Sequence, residues 1–189
     1  MIDTTFLAVG SLMLLSGYAV MGRSSLVHTQ QQARNAWALI ETPLKQRDAA
    51  LSELEPLCRQ LLPRERGALE RVMAARARVA GAHQAFDAAA LGPAETELRD
   101  GLSQLFATAE NMLNQGASAP FQHLSSRIIA FEAKIAERGQ LYSSAVNFHN
   151  MQIKQFPYLL LARPLGFAAF ERLDSAAWKA TEPGGRVPF

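Results

Sequence analysis

Apolar residues recur at heptad-like spacing in four successive stretches of this chain, and between them the spacing breaks at proline and glycine. The first seam runs Ala33, Trp37, Ile40, Leu44, Arg47, Leu51, Leu54, Cys58 and Leu61. Only Arg47 interrupts it, so one long helix packed along one side is predicted. Pro43 and Pro56 lie inside that helix, and each removes an amide donor, so kinks are expected there. Pro63 marks a boundary. A second helix is expected from about residue 64 to about residue 90, with Leu69, Val72, Ala75, Val79, Ala82 and Phe86 facing inward. Leu91-Gly92-Pro93 reads as its stop. The third helix then holds Glu95 and Glu97 in its first turn, where carboxylates suit the positive end of the dipole. Leu98, Leu102, Leu105, Ala109 and Met112 form its stripe. After a turn over residues 114–120, a fourth helix is expected from about residue 121 to residue 155. It carries Phe121, Leu124, Ile128, Phe131, Ile135, Tyr142, Val146 and Ile153, and ends at Phe156-Pro157. No strand-like alternation competes. Short turns force neighbouring helices to run antiparallel, so the predicted fold is all-α, an up-down-up-down helical bundle over residues 23–157. In residues 158–189, Pro164 and Gly166 break the pattern. Gly166 to Glu171 is expected to dock a short turn, and residues 181–189 to form an extended tail.

Ahead of the bundle, residues 4–22 contain no charged side chain. At about 1.5 Å per residue such a run reaches roughly 28 Å as a helix, close to the ~30 Å hydrocarbon thickness of a bilayer. An N-terminal transmembrane helix, continued by the first bundle helix, is therefore expected. A cleaved signal peptide fits less well, because the chain begins Met1-Ile2-Asp3 rather than with a basic region, and has no cysteine there for a lipid. Arg23 and Arg34 follow the run and no basic residue precedes it, which places the bundle on the cytoplasmic side. Gly10 and Gly17 form no G-x-x-x-G and read as ordinary residues of a span.

A length of 189 residues with 49% hydrophobic content suits one core plus an anchor. The formal charge of +2 lacks the basic footprint of a duplex nucleic-acid binder. The single cysteine, Cys58, can form no internal disulfide, and its place on the seam suits a small apolar filler rather than a nucleophile. None of His28, His83, His123 or His149 has a glutamate three residues before it, so the di-iron pattern of helical bundles is missing. H-E-x-x-H, P-loop and G-x-G-x-x-G motifs are missing too. No catalytic, cofactor-binding or metal-binding residue is assigned.

The polar residues that remain read structurally. Arg47, Arg138 and His149 sit at or beside seam positions, where buried polar groups pair to set register. Folding the chain back at the turns places Arg47 within about one helical turn of Glu132, so a buried Arg47–Glu132 pair is expected between the first and fourth bundle helices. Arg64, Arg71 and Arg78 recur every seven residues as a basic interaction stripe. At roughly 35 Å from the end of the apolar run, and diluted by Glu65 and Glu70, that stripe suits a solvated helix face better than a lipid surface.

In the fourth helix, Tyr142-Ser143-Ser144-Ala145-Val146-Asn147-Phe148-His149-Asn150, then Ile153 and Phe156-Pro157, resembles the signature near the end of the LemA family of bacterial membrane proteins. The likeness extends through Arg34-Asn35, Trp37, Ile40, Leu44-Lys45, Glu65, Val72, Ala75-Arg76, Ala109-Glu110, Glu132 and Ile135, and forward to Gly166-Phe167, Phe170-Glu171 and the closing Pro183 to Phe189. Departures mark a divergent member: residues 49–54 replace an Asp-Leu-Ile-Pro-Asn-Leu segment, Met112-Leu113 replaces Tyr-Pro, and Ser143 replaces Asn. Gly139 stands where an arginine is usual, and His149 where an aromatic is. The resemblance implies an N-terminal membrane helix and a cytoplasmic bundle, and no established activity. The expected protein is thus a non-enzymatic, single-pass protein of the plasma or inner membrane, with a short outside N-terminus and an interaction scaffold inside. Its expected partners are the bilayer, through residues 4–22, and a protein. An exported bundle and an enzyme with an unrecognised site are the alternatives.

Overall fold

The computed structural model describes residues 2–113 and 119–173, and among these every regular element is a helix. The five are α1 (Ile2–Leu61), α2 (Arg66–Gln84), α3 (Ala88–Leu113), α4 (Ala119–Gln152) and the short α5 (Tyr158–Ala162). The expected tail over residues 181–189 and most of the 114–120 turn lie outside the described residues. The chain divides into two compact units, Met1–Asn35 with Ser144–Phe170, and Ala36–Ser143 with Glu171–Phe189.

The larger unit holds the bundle core, and its side-chain pairs give the helix directions. Along α1 the partners Trp37, Asp48 and Glu53 meet His83 and Arg76 of α2 and Arg127 of α4. Rising numbers on α1 meet falling numbers on α2, and likewise on α4, where Trp37 meets Tyr142. Arg78 pairs with Glu97 across α2 and α3, and Phe106 with Phe121 across α3 and α4. Neighbouring helices therefore run antiparallel, as their short connections require. The α1 seam is buried at Trp37, Ile40, Leu44, Leu51, Leu54 and Cys58, and α4 buries Phe121, Leu124, Ile128, Ile135 and Tyr142. At the end of α1 it is Leu62, not Leu61, that is buried. Gly101 marks the close approach of α2 to α3, since a Cβ there would lie 3.1 Å from Val72 Cγ2.

Five expected boundaries move, among them the start of α4, at Ala119 rather than residue 121. Helix α2 stops at Gln84, and Leu91-Gly92-Pro93 lies inside α3. The stop is a Schellman turn built without glycine: Asp87 N–H reaches Ala82 O at 3.0 Å and Phe86 N–H reaches His83 O at 3.2 Å. Phe86 takes the left-handed position with φ 55° and is 76% exposed, against its expected place on the inner face. Asp87 then caps α3, its Oδ1 accepting from Ala90 N–H at 2.8 Å. Pro93 is the sixth residue of α3, beyond the first turn, and the helix continues through it without the bond its amide would have made to Ala89 O. Helix α2 begins at Arg66, so Arg64 stands in the preceding turn, and α4 ends three residues early at Gln152. Helix α1 continues through Pro43 and Pro56.

The left-handed cost at residue 86 is testable. Phe86→Gly should leave the protein more stable to urea than Phe86→Ala by about 1 kcal/mol, because both lose the ring but only alanine keeps the penalty of roughly 1–2 kcal/mol. At an ordinary helical position the order would reverse.

The uncharged run forms the start of α1 and passes without a break into the seam. Among the described residues, no helix is long and apolar enough to cross a membrane. The expected transmembrane helix is not borne out here, and the apolar character of residues 4–22 remains a property of the sequence. In the smaller unit, Leu26, Ile153 and Ala162 form a core joined by Tyr158, Leu161 and Phe167.

Candidate functional site

Arg47 comes from the inner stripe of α1, between Leu44 and Leu51, and only 3% of its side chain is exposed. A guanidinium that deep needs a partner with matching geometry. Glu95 of α3 supplies it: Arg47 Nη1 donates to Glu95 Oε2 at 2.7 Å and Nη2 to Oε1 at 2.6 Å, a two-pronged bond between buried groups. Glu132 of α4 stands beyond, 3.8 Å from Arg47 Nη1, with Arg99 4.0 Å from its other oxygen. The result is an alternating row, Glu95, Arg47, Glu132 and Arg99, that links α1, α3 and α4. Burial tends to lower the pKa of Arg47, but the carboxylates outweigh it and raise the net value. Burial raises the pKa of Glu132, against the pull of Arg47 and Arg99. Glu132 is therefore the less favourably held carboxylate, and its Oε1 accepts no hydrogen bond among the described residues.

Arg47 and Glu132 thus come together, but the first partner of Arg47 is Glu95, which the sequence pattern sets in a first turn at the dipole. The true start of α3 at Ala88 puts Glu95 four residues after Leu91 and three before Leu98, on the inner stripe. That spacing is the available signal, and reading Gly92-Pro93 as a helix stop hides it.

Beside this row, α1 and α2, with Leu98 of α3, line a groove in two parts, of about 370 Å³ and 670 Å³, the smaller of which Arg47 also lines. Asp48 and Arg76 line both parts and cross between them. Arg76 Nε donates to Asp48 Oδ1, and Nη2 to Oδ2 at 2.8 Å and to Ser52 Oγ at 2.8 Å. This bonding holds the Asp48 carboxyl below its usual range. Lys45 pairs with Glu41 at the smaller part and Arg59 with Glu55 at the larger, so the groove's charges largely answer one another. His83 closes one side, stacked on Trp37 with ring centroids 5.5 Å apart. Burial lowers its pKa, and neither His83 Nε2 nor Trp37 Nε1 has a hydrogen-bond partner among the described residues.

In the smaller unit, His149 is fully buried. Its Nδ1 lies 3.0 Å from Thr29 Oγ1 and its Nε2 3.3 Å from Ala168 O. Asn150 holds the same C-terminal segment at two points: its Nδ2 donates to Phe170 O at 2.9 Å, and its Oδ1 accepts from Phe170 N–H at 3.0 Å. In the larger unit, the buried Tyr142 hydroxyl donates to Glu171 O at 3.0 Å, and burial pushes its pKa up to about 12. Signature positions of the fourth helix therefore hold the returning segment by its backbone. The part that Asn150 and Tyr142 play in holding Phe170 and Glu171 is not legible in the sequence.

The remaining candidates carry less. Arg138 is half-buried on α4. Burial pushes the Cys58 thiol up to about 11, which keeps it protonated at neutral pH. Of the arginine stripe, Arg64 precedes α2, Arg71 bonds its own helix at Gly67 O, and Arg78 is paired with Glu97 at 2.6 Å. Among the described residues no three His, Cys, Asp or Glu side chains gather as a metal centre would need.

Buried polar groups that tie helices to one another and to the C-terminal segment define an all-helical bundle protein. The larger unit is pinned by an ion row, and the smaller clasps the backbone at Ala168 and Phe170 with His149 and Asn150. The model of the LemA family matches residues 36–189, and the chain belongs to that family. No curated protein matches it significantly.

Proposed function

We propose that this LemA-family protein is a membrane-tethered interaction scaffold without enzymatic activity, anchored by residues 4–22 and carrying its bundle in the cytoplasm. One observation carries the reading: the uncharged run belongs to the same unbroken helix, Ile2–Leu61, that supplies the Arg47 seam of the bundle. An anchor carried on the same helix as the core keeps the bundle beside the bilayer, which suits presentation of a surface. The internally paired charges of the groove and the protonated Cys58 support a scaffold over a catalyst, since neither offers a poised nucleophile or base. Exposed Leu39, Ile129 and Leu141 offer apolar contact for a protein partner.

The test uses the full chain in intact cells. The protein is expected to resist carbonate extraction, and Leu12→Arg with Leu15→Arg to release it, because each arginine at the centre of a span costs about 3 kcal/mol. In a Cys58→Ala background, a cysteine replacing exposed Ser126 should react with a membrane-impermeant maleimide only after lysis. Extraction of the unaltered chain by carbonate would refute the anchor, and labelling of intact cells would reverse the orientation.

A further inference from the structure

The apolar side chains exposed after α4 are concentrated in one short stretch of the smaller unit. Phe156 is 80% exposed and Leu160 65%, and Leu159 and Leu165 are exposed beside them. Their neighbours Tyr158, Leu161 and Ala162 face the opposite way and pack with Leu26 and Ile153. Helix α5 therefore has one apolar side in the core and another left exposed among the described residues.

Its level along α1 is set by Gly22. A Cβ at that position would lie 2.5 Å from Leu161 Cδ1 and 3.9 Å from the Tyr158 ring, so the missing side chain makes room for α5. Gly22 is also the last residue of the uncharged run, and Val20 and Met21 just before it are exposed apolar residues. Charge is segregated as well. This unit contains Arg23, Arg34, Lys154 and Arg163, and its one carboxylate, Asp3, lies at the far end of the run. Between Glu137 and Glu171 there is no acidic residue.

We infer that residues 154–165 form a second membrane contact, lying on the anionic lipid surface from which α1 emerges. Phe156, Leu159, Leu160 and Leu165 enter the headgroup boundary, and Lys154 and Arg163 meet lipid phosphates. The inference rests on the span proposed above. If that span ends at Gly22, a segment packed against Gly22 lies within the headgroup layer, which is about 5–8 Å deep on each side and comparable to one 5.4 Å helical turn. An amphipathic segment with bulky apolar residues and flanking basic ones is the composition such a layer accepts.

The experiment places an environment-sensitive fluorophore on single cysteines in the full chain with Cys58→Ala, reconstituted in vesicles of phosphatidylcholine and phosphatidylglycerol. At Leu160→Cys the probe should be quenched by lipids labelled near the headgroup and shielded from aqueous iodide. At Met13→Cys it should be quenched by lipids labelled deep in the chain, and at Ser126→Cys by iodide alone. Adding Lys154→Glu and Arg163→Glu should reduce lipid quenching at Leu160→Cys at least about twofold and leave Met13→Cys unchanged. Quenching at Met13→Cys with an iodide-exposed Leu160→Cys overturns the lipid contact and leaves the span standing. A Leu160→Cys probe shielded from iodide but untouched by labelled lipid means that protein, such as a second copy, covers the face, which also overturns it. Loss of quenching at Met13→Cys removes the span, and the inference with it.

Discussion

Arg47→Met is expected to destabilise the bundle by about 3–5 kcal/mol, because it leaves the Glu95 carboxylate fully buried with no cation beside it. Glu95→Leu should cost a similar amount for the mirrored reason. Together the two substitutions should recover most of either loss, since a buried pair roughly cancels its own desolvation and an apolar pair of similar volume has none to cancel. Urea denaturation of the four proteins forms a double-mutant cycle, and additive losses would refute the pairing. Glu132→Gln should instead change stability by no more than about 1 kcal/mol at neutral pH, because 3.8 Å to Arg47 without a hydrogen bond is a weaker hold than two bonds below 2.8 Å. The pH dependence has a defined sign. Burial raises the Glu132 pKa above its ordinary value of 4.5, so its contribution is fully present below that value and lost as pH rises through the folded pKa. The stability of the unaltered protein relative to Glu132→Gln should therefore fall over that rise.

His149→Ala is expected to cost about 2–4 kcal/mol, in the range of other large-to-small changes at closed sites, and to free the backbone of residues 167–170 to hydrogen exchange. The ring fills a site with no exposed surface and lies 5.3 Å from the Phe170 ring. Its hydrogen bonds also set its tautomer. Ala168 O can only accept, so Nε2 carries the proton, and in the neutral ring Nδ1 shares the one Thr29 hydroxyl proton with Leu26 O, 3.1 Å from that oxygen. Burial lowers the pKa of His149 from 6.5, so the unfolded chain takes up the proton first. The stability this contributes is present above about pH 6.5 and lost as pH falls through the folded value. His83 acts in the same direction. The melting temperature should therefore drop on acidification below pH 6.5, and less steeply in His149→Phe, which keeps the ring and removes the titration. An equal slope in both proteins would exclude His149 as a source.

Local periodicity carries the all-helical fold, the antiparallel order and most of the core, because a seam at heptad spacing is a property of consecutive residues and short connections leave one way to fold back. The approach of Arg47 to Glu132 follows from the same counting. Boundaries are less legible where the chemistry is atypical. A phenylalanine in a left-handed position ends α2, and a proline sits inside α3, and both invert the usual meaning of the residue. That one misplaced boundary is enough to take Glu95 off the inner stripe. Which of two carboxylates captures Arg47, how Asp48 and Arg76 bridge the groove, and that Asn150 and Tyr142 clasp a segment some 20–30 residues later are decided only by the tertiary structure. The reason is physical: the capture of a buried charge is settled by distance and angle to within tenths of an ångström, and backbone groups that receive side-chain bonds have no signature in residue type.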